Sequence, residues 1–257
     1  MGTVARKTFF PVGSVHQVLW GPCRGIRYRI FPGYGHAYLF GGWERKSVAQ
    51  MVRYVKPGTV AYDLGANYGM HTLLLARLVG PAGRVYAFEP NPEICAALEE
   101  QLALNGFTMV QVIPKAVCDQ AGDAWFDSGG SATGHLVSAT ATTSATISAT
   151  TYRVETISLD EFVLERKNPP PGFIKIDIEG AESAALRGAR EMIARYRPVL
   201  LIELHNPAED QAVGVFLKRL GYRALRLETN RPVENMESGW PDRAGMWGTV
   251  VALPSAS

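Results

Sequence analysis

The stretch "VAYDLGANYGMHTLLLARLVG", residues 60–80, decides the fold. It opens as an apolar strand, turns through glycines beside an acid, and continues with helical periodicity from Tyr68 to Val79. A bare turn at the end of a buried strand lets backbone approach a ligand without Cβ clashes. The pattern is G-x-x-x-G, with Asp63 two residues before Gly65. The dinucleotide fingerprint G-x-G-x-x-G is absent. A pyrophosphate needs bare N–H groups at a helix N-terminus, and an acid at the mouth of the turn repels it. A cationic ligand tolerates that acid.

Strand-like and helix-like segments alternate outward from this turn. "RVYAFEP" (84–90) reads as a second strand, Asn91 to Leu104 as a helix opened by Asn-Pro, and "MVQVIP" (109–114) as a third strand. "GFIKIDIEG" (172–180) is a fourth strand, followed by one helix through Arg195. "PVLLIEL" (198–204) is a fifth strand, Gln211 to Leu220 a helix, and "YRALRLE" (222–228) and "WGTVVALP" (247–254) are closing strands. Such alternation predicts an α/β fold: a mostly parallel sheet with helices on both faces. Ligands then bind outside the carboxyl ends of the strands.

Two regions break the alternation. Residues 1–55, rich in glycine and aromatics, read as a small N-terminal cap or lid ahead of a main domain at 56–257. Residues 128–151, nearly all Ser, Ala, Thr and Gly, read either as a mobile flap or hairpin or as a disordered loop, within an insertion at 121–156.

The bulk numbers narrow the function. The 257 residues carry 26 basic and 24 acidic side chains, interspersed, for a net charge of +2. That balance gives no electrostatic case for nucleic acid or a membrane surface as the main partner. The odd count of three cysteines, with no C-x-x-C, argues against a disulfide framework. No apolar run reaches the length of a membrane span, and the first residues do not read as a signal peptide. The expectation is a soluble, cytoplasmic protein. Its apolar cap suits a lid or a homodimer contact alike.

The second strand ends in Glu89, where an acid accepts hydrogen bonds from vicinal ribose hydroxyls. Glu89 therefore reads as a nucleoside holder. Together with an acid-flanked glycine turn it suits S-adenosylmethionine, whose methionine part is cationic. At this point "VAYDLGANYGMHTLLLARLVGPAGRVYAFEPNPE" (60–93), "FIKIDIEGAE" (173–182) and "PVLLIELH" (198–205) resemble the FkbM family of class I S-adenosylmethionine-dependent methyltransferases. The resemblance runs from about residue 35 to the C-terminus. It implies a Rossmann-like, seven-stranded sheet with an antiparallel last strand, and O-methylation, often of a sugar hydroxyl. It also implies that Asp63, Gly65, Ala66, Asn67 and Gly69 line the methionine end of the cofactor, with Asp177 beside it. Glu89 would hold the ribose, and Asn91 and Ala116 would lie near the adenine. "IPKAVCD" (113–119) departs from the family pattern after the third strand.

Methyl transfer from a sulfonium needs the acceptor aligned in line and its hydroxyl proton removed. A base can take the proton, or a divalent cation can stabilise the alkoxide. Asp177 and Glu179 are two apart at the fourth strand tip. Glu203 and His205 repeat that spacing at the fifth, with Asn206 next. Asp177, Glu179 and His205 are thus candidate catalytic residues. By analogy with catechol-type O-methyltransferases, Asp177, Glu203 and His205 are candidate Mg2+ ligands. His71 is equally a helix-packing residue or an acceptor contact. The expected partner is a small-molecule or oligosaccharide acceptor. The competing readings are O-methylation of a non-sugar hydroxyl and a non-catalytic S-adenosylmethionine-binding module.

Overall fold

The computed structural model describes residues 10–129, 134–137, 149–233 and 248–255. The chain enters through a two-stranded antiparallel hairpin, β1 (Val15–Gln17) with β2 (Arg27–Arg29), then two helices, α1 (His36–Leu39) and α2 (Arg45–Tyr54). The alternating part follows: β3 (Val60–Leu64), α3 (Met70–Val79), β4 (Arg84–Phe88), α4 (Pro92–Asn105) and β5 (Val110–Ile113). Next come β6 (Ala116–Val117), β7 (Gly122–Asp127), β8 (His135–Val137) and β9 (Thr151–Ile157). The chain then runs through β10 (Phe173–Ile176), α5 (Glu182–Arg187), α6 (Arg190–Tyr196), β11 (Val199–Glu203), α7 (Pro207–Arg219), β12 (Tyr222–Arg226), β13 (Arg231–Pro232) and β14 (Thr249–Pro254).

The main sheet has the order β13-β12-β14-β11-β10-β3-β4-β5. The run β11-β10-β3-β4-β5 is parallel, and β14 lies antiparallel between β11 and β12. This is the Rossmann-like arrangement expected. It has eight strands rather than seven, because the two-residue β13 pairs with the exposed edge of β12. Strands buried on both faces are continuously apolar, and successive side chains feed two cores. Tyr62, Leu64, Ile174, Ile176 and Ile202 pack under α5, α6 and α7. Ala61, Phe173 and Leu201 pack under α3, α4 and the N-terminal segment. Among the described residues no helix is long and apolar enough to cross a membrane.

Local physics moves several boundaries. Asn91 caps α4 and Asn206 caps α7, each accepting from backbone N–H groups of the first turn. Asn206 thus serves as a helix cap, and α7 begins at Pro207, ahead of the expected Gln211. The helix expected to run unbroken to Arg195 is two helices. At Gly188 the backbone comes so close to Cys118 that a Cβ would stand 2.2 Å from its carbonyl oxygen. Only a glycine fits at this junction between the two helices.

The Ser/Thr-rich stretch lies largely outside the described residues. Its flanks are ordered: β7 pairs antiparallel with β9 and β8, in a second sheet of order β6-β9-β7-β8.

Candidate active site

The carboxyl ends of β3, β4, β10 and β11 converge. The turn after β3 is held by Phe88, whose carbonyl accepts from Gly65 N and Ala66 N at 3.0 Å each. Gly65 has φ +80°, and a Cβ there would stand 1.8 Å from the backbone oxygen of Asp177. The β3 and β10 tips can meet this closely only across a glycine.

Glu89 follows β4. One carboxylate oxygen accepts from Asn67 N at 3.0 Å and the other from Asn91 N at 2.9 Å. Each oxygen keeps a lone pair for a ligand hydroxyl. Burial pushes the Glu89 acid up to about 7 despite those two amides, with Asp63 adding repulsion and Lys175 opposing it. Ionised Glu89 is the better acceptor of two hydroxyls. S-adenosylmethionine affinity is therefore expected to fall as the pH drops below about 7. Calorimetry at pH 6 and pH 8 should show the weakening in the wild type and a flat, weaker response in Glu89→Gln.

Two cavities meet at these tips. The first is lined by Gly65, Asn67, Glu89, Asn91, Lys115, Ala116, Asp177 and Glu179, and by Phe126, Gly134 and Leu136 from the flap strands. The second, of about 160 Å³, is lined by Tyr34, Trp43, Glu44, Gly65, Ala66, Asn67, Met70, His71, Lys175, Asp177, Glu179 and Glu203. Gly65, Asn67, Asp177 and Glu179 line both.

The structure thus gathers Gly65, Ala66, Asn67, Glu89, Asn91, Ala116, Asp177, Glu179 and Glu203 around one pair of cavities. Two further expected cofactor residues, Asp63 and Gly69, are not on the walls of either cavity. Gly69 opens α3 and lines neither cavity. Asp63 is wholly buried behind the turn, where it accepts from the Thr72 hydroxyl at 2.6 Å. Period-two alternation puts its side chain into the layer beneath α3, so it orders the turn from below.

Asp177 is the electrostatic centre. Its Oδ2 accepts from Lys175 Nζ at 2.7 Å, and its Oδ1 lies 3.3 Å from His205 Nε2. Burial alone would raise its proton affinity, but Lys175 and His205 hold the carboxyl well below the usual carboxylate range. His205 Nδ1 lies 2.8 Å from Oε1 of Glu182, a wholly buried residue, and Nε2 lies 3.5 Å from Glu179. Burial would lower the His205 proton affinity, but hydrogen bonds to Asp177 and Glu182 lift it to about 10. With no cation beside it, His205 is an imidazolium donor, not the base. Burial, then Asp177 and Glu44, push Glu203 up to about 7. One ligand atom each from Asp177, Glu203 and His205 all lie within 4.8 Å of one another.

Three residues of this constellation, Lys175, Glu182 and Glu44, escape a reading along the chain. Lys175 sits two before Asp177 on one strand, the signal that could have found it. Glu182 comes from a helix, and Glu44, 3.1 Å from His71 Nε2, comes from the N-terminal segment. Trp43 stands against His71 with ring centroids 4.3 Å apart.

Comparisons with known proteins agree with this geometry. A family profile described as "Methyltransferase FkbM domain" matches residues 63–224. Hexuronic acid methyltransferase AglP of Haloferax volcanii is 26% identical over 174 residues, covering 68% of this chain and 67% of that protein. The 31-O-demethyl-FK506 methyltransferase FkbM of Streptomyces tacrolimicus is 31% identical over 186 residues, covering 62% of this chain and 70% of that protein. A crystal structure of an FkbM methyltransferase from Methylobacillus flagellatus superposes with a TM-score of 0.50 at 19% identity. It matches 80% of this chain, which spans about half of that longer one (52%), and shows the shared fold. The chain belongs to the FkbM methyltransferase family and is an S-adenosylmethionine-dependent O-methyltransferase.

Proposed function

We propose that the chain methylates a hydroxyl of a sugar, a polysaccharide or a glycosylated natural product. The observation that carries this reading is the junction of the two cavities at Gly65, Asn67, Asp177 and Glu179. A nucleoside whose ribose rests on Glu89 directs its sulfonium toward that junction. The second cavity then takes the acceptor. Trp43 and Tyr34 on its wall offer faces for a sugar ring. The hexuronic acid named for one relative supports this acceptor class, while the demethyl-FK506 named for the other keeps a non-sugar hydroxyl as the competing reading.

The residues divide the work. Glu89 and Asn91 bind and orient the donor. Asp177 stays ionised through Lys175 and keeps an anionic oxygen toward the reacting centre, where it accepts from the acceptor hydroxyl and aligns it for in-line attack. Glu203, at the neighbouring tip, receives the hydroxyl proton. A second form of the reading puts a divalent cation beside the acceptor oxygen. Magnesium is the sequence-level expectation, and the clustering of Asp177, Glu203 and His205 favours a cation here. In that form the cation stabilises the alkoxide, and the same three side chains hold it. The three free cysteines suit a reducing compartment, which supports a cytoplasmic setting.

The test has two stages. Calorimetry with S-adenosylmethionine, with NADH as control, should show binding of the methyl donor alone. Transfer of labelled methyl to a panel of glycosides and uronates should then yield an O-methyl product. Donor binding with transfer only to non-sugar hydroxyls would overturn the acceptor class. No donor binding by folded protein would overturn the reaction.

A further inference from the structure

We infer that Asp177, Glu203 and His205 form a site for a first-row transition-metal dication in preference to magnesium. The inference rests on the cation-assisted form of the reading above and names its metal. Magnesium is bound through one or two carboxylates, keeps several waters, and has no use for nitrogen. Imidazole favours the transition metals. Here the donor set is two carboxylate oxygens and one imidazole nitrogen, with ligand atoms all within 4.8 Å of one another.

The imidazole is built into the site. Glu182 Oε1 holds Nδ1 at 2.8 Å, so Nε2 is the atom turned toward Asp177 Oδ1, 3.3 Å away. Gly180 N donates to the same Glu182 oxygen at 3.1 Å and fixes it in place. A carboxylate behind a histidine sets its tautomer, aims its ring and strengthens it as a ligand. Glu182 is wholly buried, and its other oxygen is buried with no hydrogen-bond partner. An unsatisfied buried carboxylate oxygen destabilises a fold, so stability alone does not explain it. Lys175 occupies Asp177 Oδ2 and leaves Oδ1 as the ligand atom. Cation binding would displace the proton from Nε2, as it does wherever an imidazole becomes a ligand. Asp177 and Glu203 both line the second cavity, so a cation held there would adjoin the space proposed for the acceptor.

The test uses the full chain saturated with S-adenosylmethionine. Mn2+, the weakest binder of the first-row series, is the stringent probe. Competition titration should show Mn2+ bound about tenfold or more tightly than Mg2+. Pulsed electron paramagnetic resonance of the Mn2+ complex should show a nitrogen coupling, lost in His205→Asn. Glu182→Gln, which keeps the shape, should weaken Mn2+ by roughly 10–100-fold, with retained donor binding as the check on folding. Equal affinity for the two cations, a missing nitrogen coupling, or Mn2+ affinity indifferent to Glu182→Gln would each overturn the inference. If no cation binds and methyl transfer runs unchanged in EDTA, this inference fails while the methyltransferase reading stands. If the chain binds Mn2+ as described but transfers no methyl group, the metal site stands and the proposed acceptor chemistry fails.

Discussion

Gly65→Ala is expected to abolish donor binding and to lower the melting temperature by on the order of 10 °C or more. Two costs add. The residue sits at φ +80°, where a side chain costs about 1–3 kcal/mol. The new Cβ would also stand 1.8 Å from the Asp177 carbonyl oxygen, which is backbone just past β10, tied to β3 by the Asp177 N–H donating to the Leu64 carbonyl at 3.1 Å. Relief requires the tips of β3 and β10 to part, and the two cavities meet at those tips. Thermal denaturation with calorimetry for S-adenosylmethionine reads both effects. A variant with wild-type melting and affinity would show that this contact does not govern the site.

Asp177→Asn is expected to cut turnover by roughly 10²–10⁴-fold while donor affinity changes little. The amide keeps an oxygen for Lys175 Nζ, now 2.7 Å from the carboxylate, but loses the charge facing the reacting centre. Asp177→Ala is a different experiment. Lys175 is buried, and the alanine removes its hydrogen-bond partner as well as the nearest charge, leaving only Asp63 and Glu44 to offset the ammonium. Breaking a buried pair in this way costs about 3–5 kcal/mol. The alanine variant should therefore lose stability and turnover together. Adding Lys175→Met should recover most of the stability and none of the activity. Melting curves of the single and double variants, set beside initial rates, separate charge from architecture. Full activity in Asp177→Asn would remove Asp177 from the chemistry.

Much of the frame is legible along the chain, because its causes are local. Strands buried on both faces are apolar throughout, and the glycine turn after β3 declares a close approach before the neighbour is known. Asn91 marks a helix start within a few residues. Glu89 follows β4 and Asp177 follows β10, so topology alone brings them to one edge of the sheet. The second glycine break is less visible. Gly188 follows α5 where Cys118, far away in sequence, leaves no room for a Cβ.

The sequence by itself determined the doubly covered sheet, the glycine turn and the acids at consecutive strand tips, since each follows from periodicity, backbone freedom or spacing within one element. Only the tertiary structure decided what those acids are. It set Asp63 behind the turn on Thr72 and paired Asp177 with Lys175. It aimed His205 with Glu182 and carried Glu44 against His71. These are contacts between side chains brought together by packing. Burial and a neighbour's charge, not residue type, fix whether a carboxyl is an anion, an acid or a ligand.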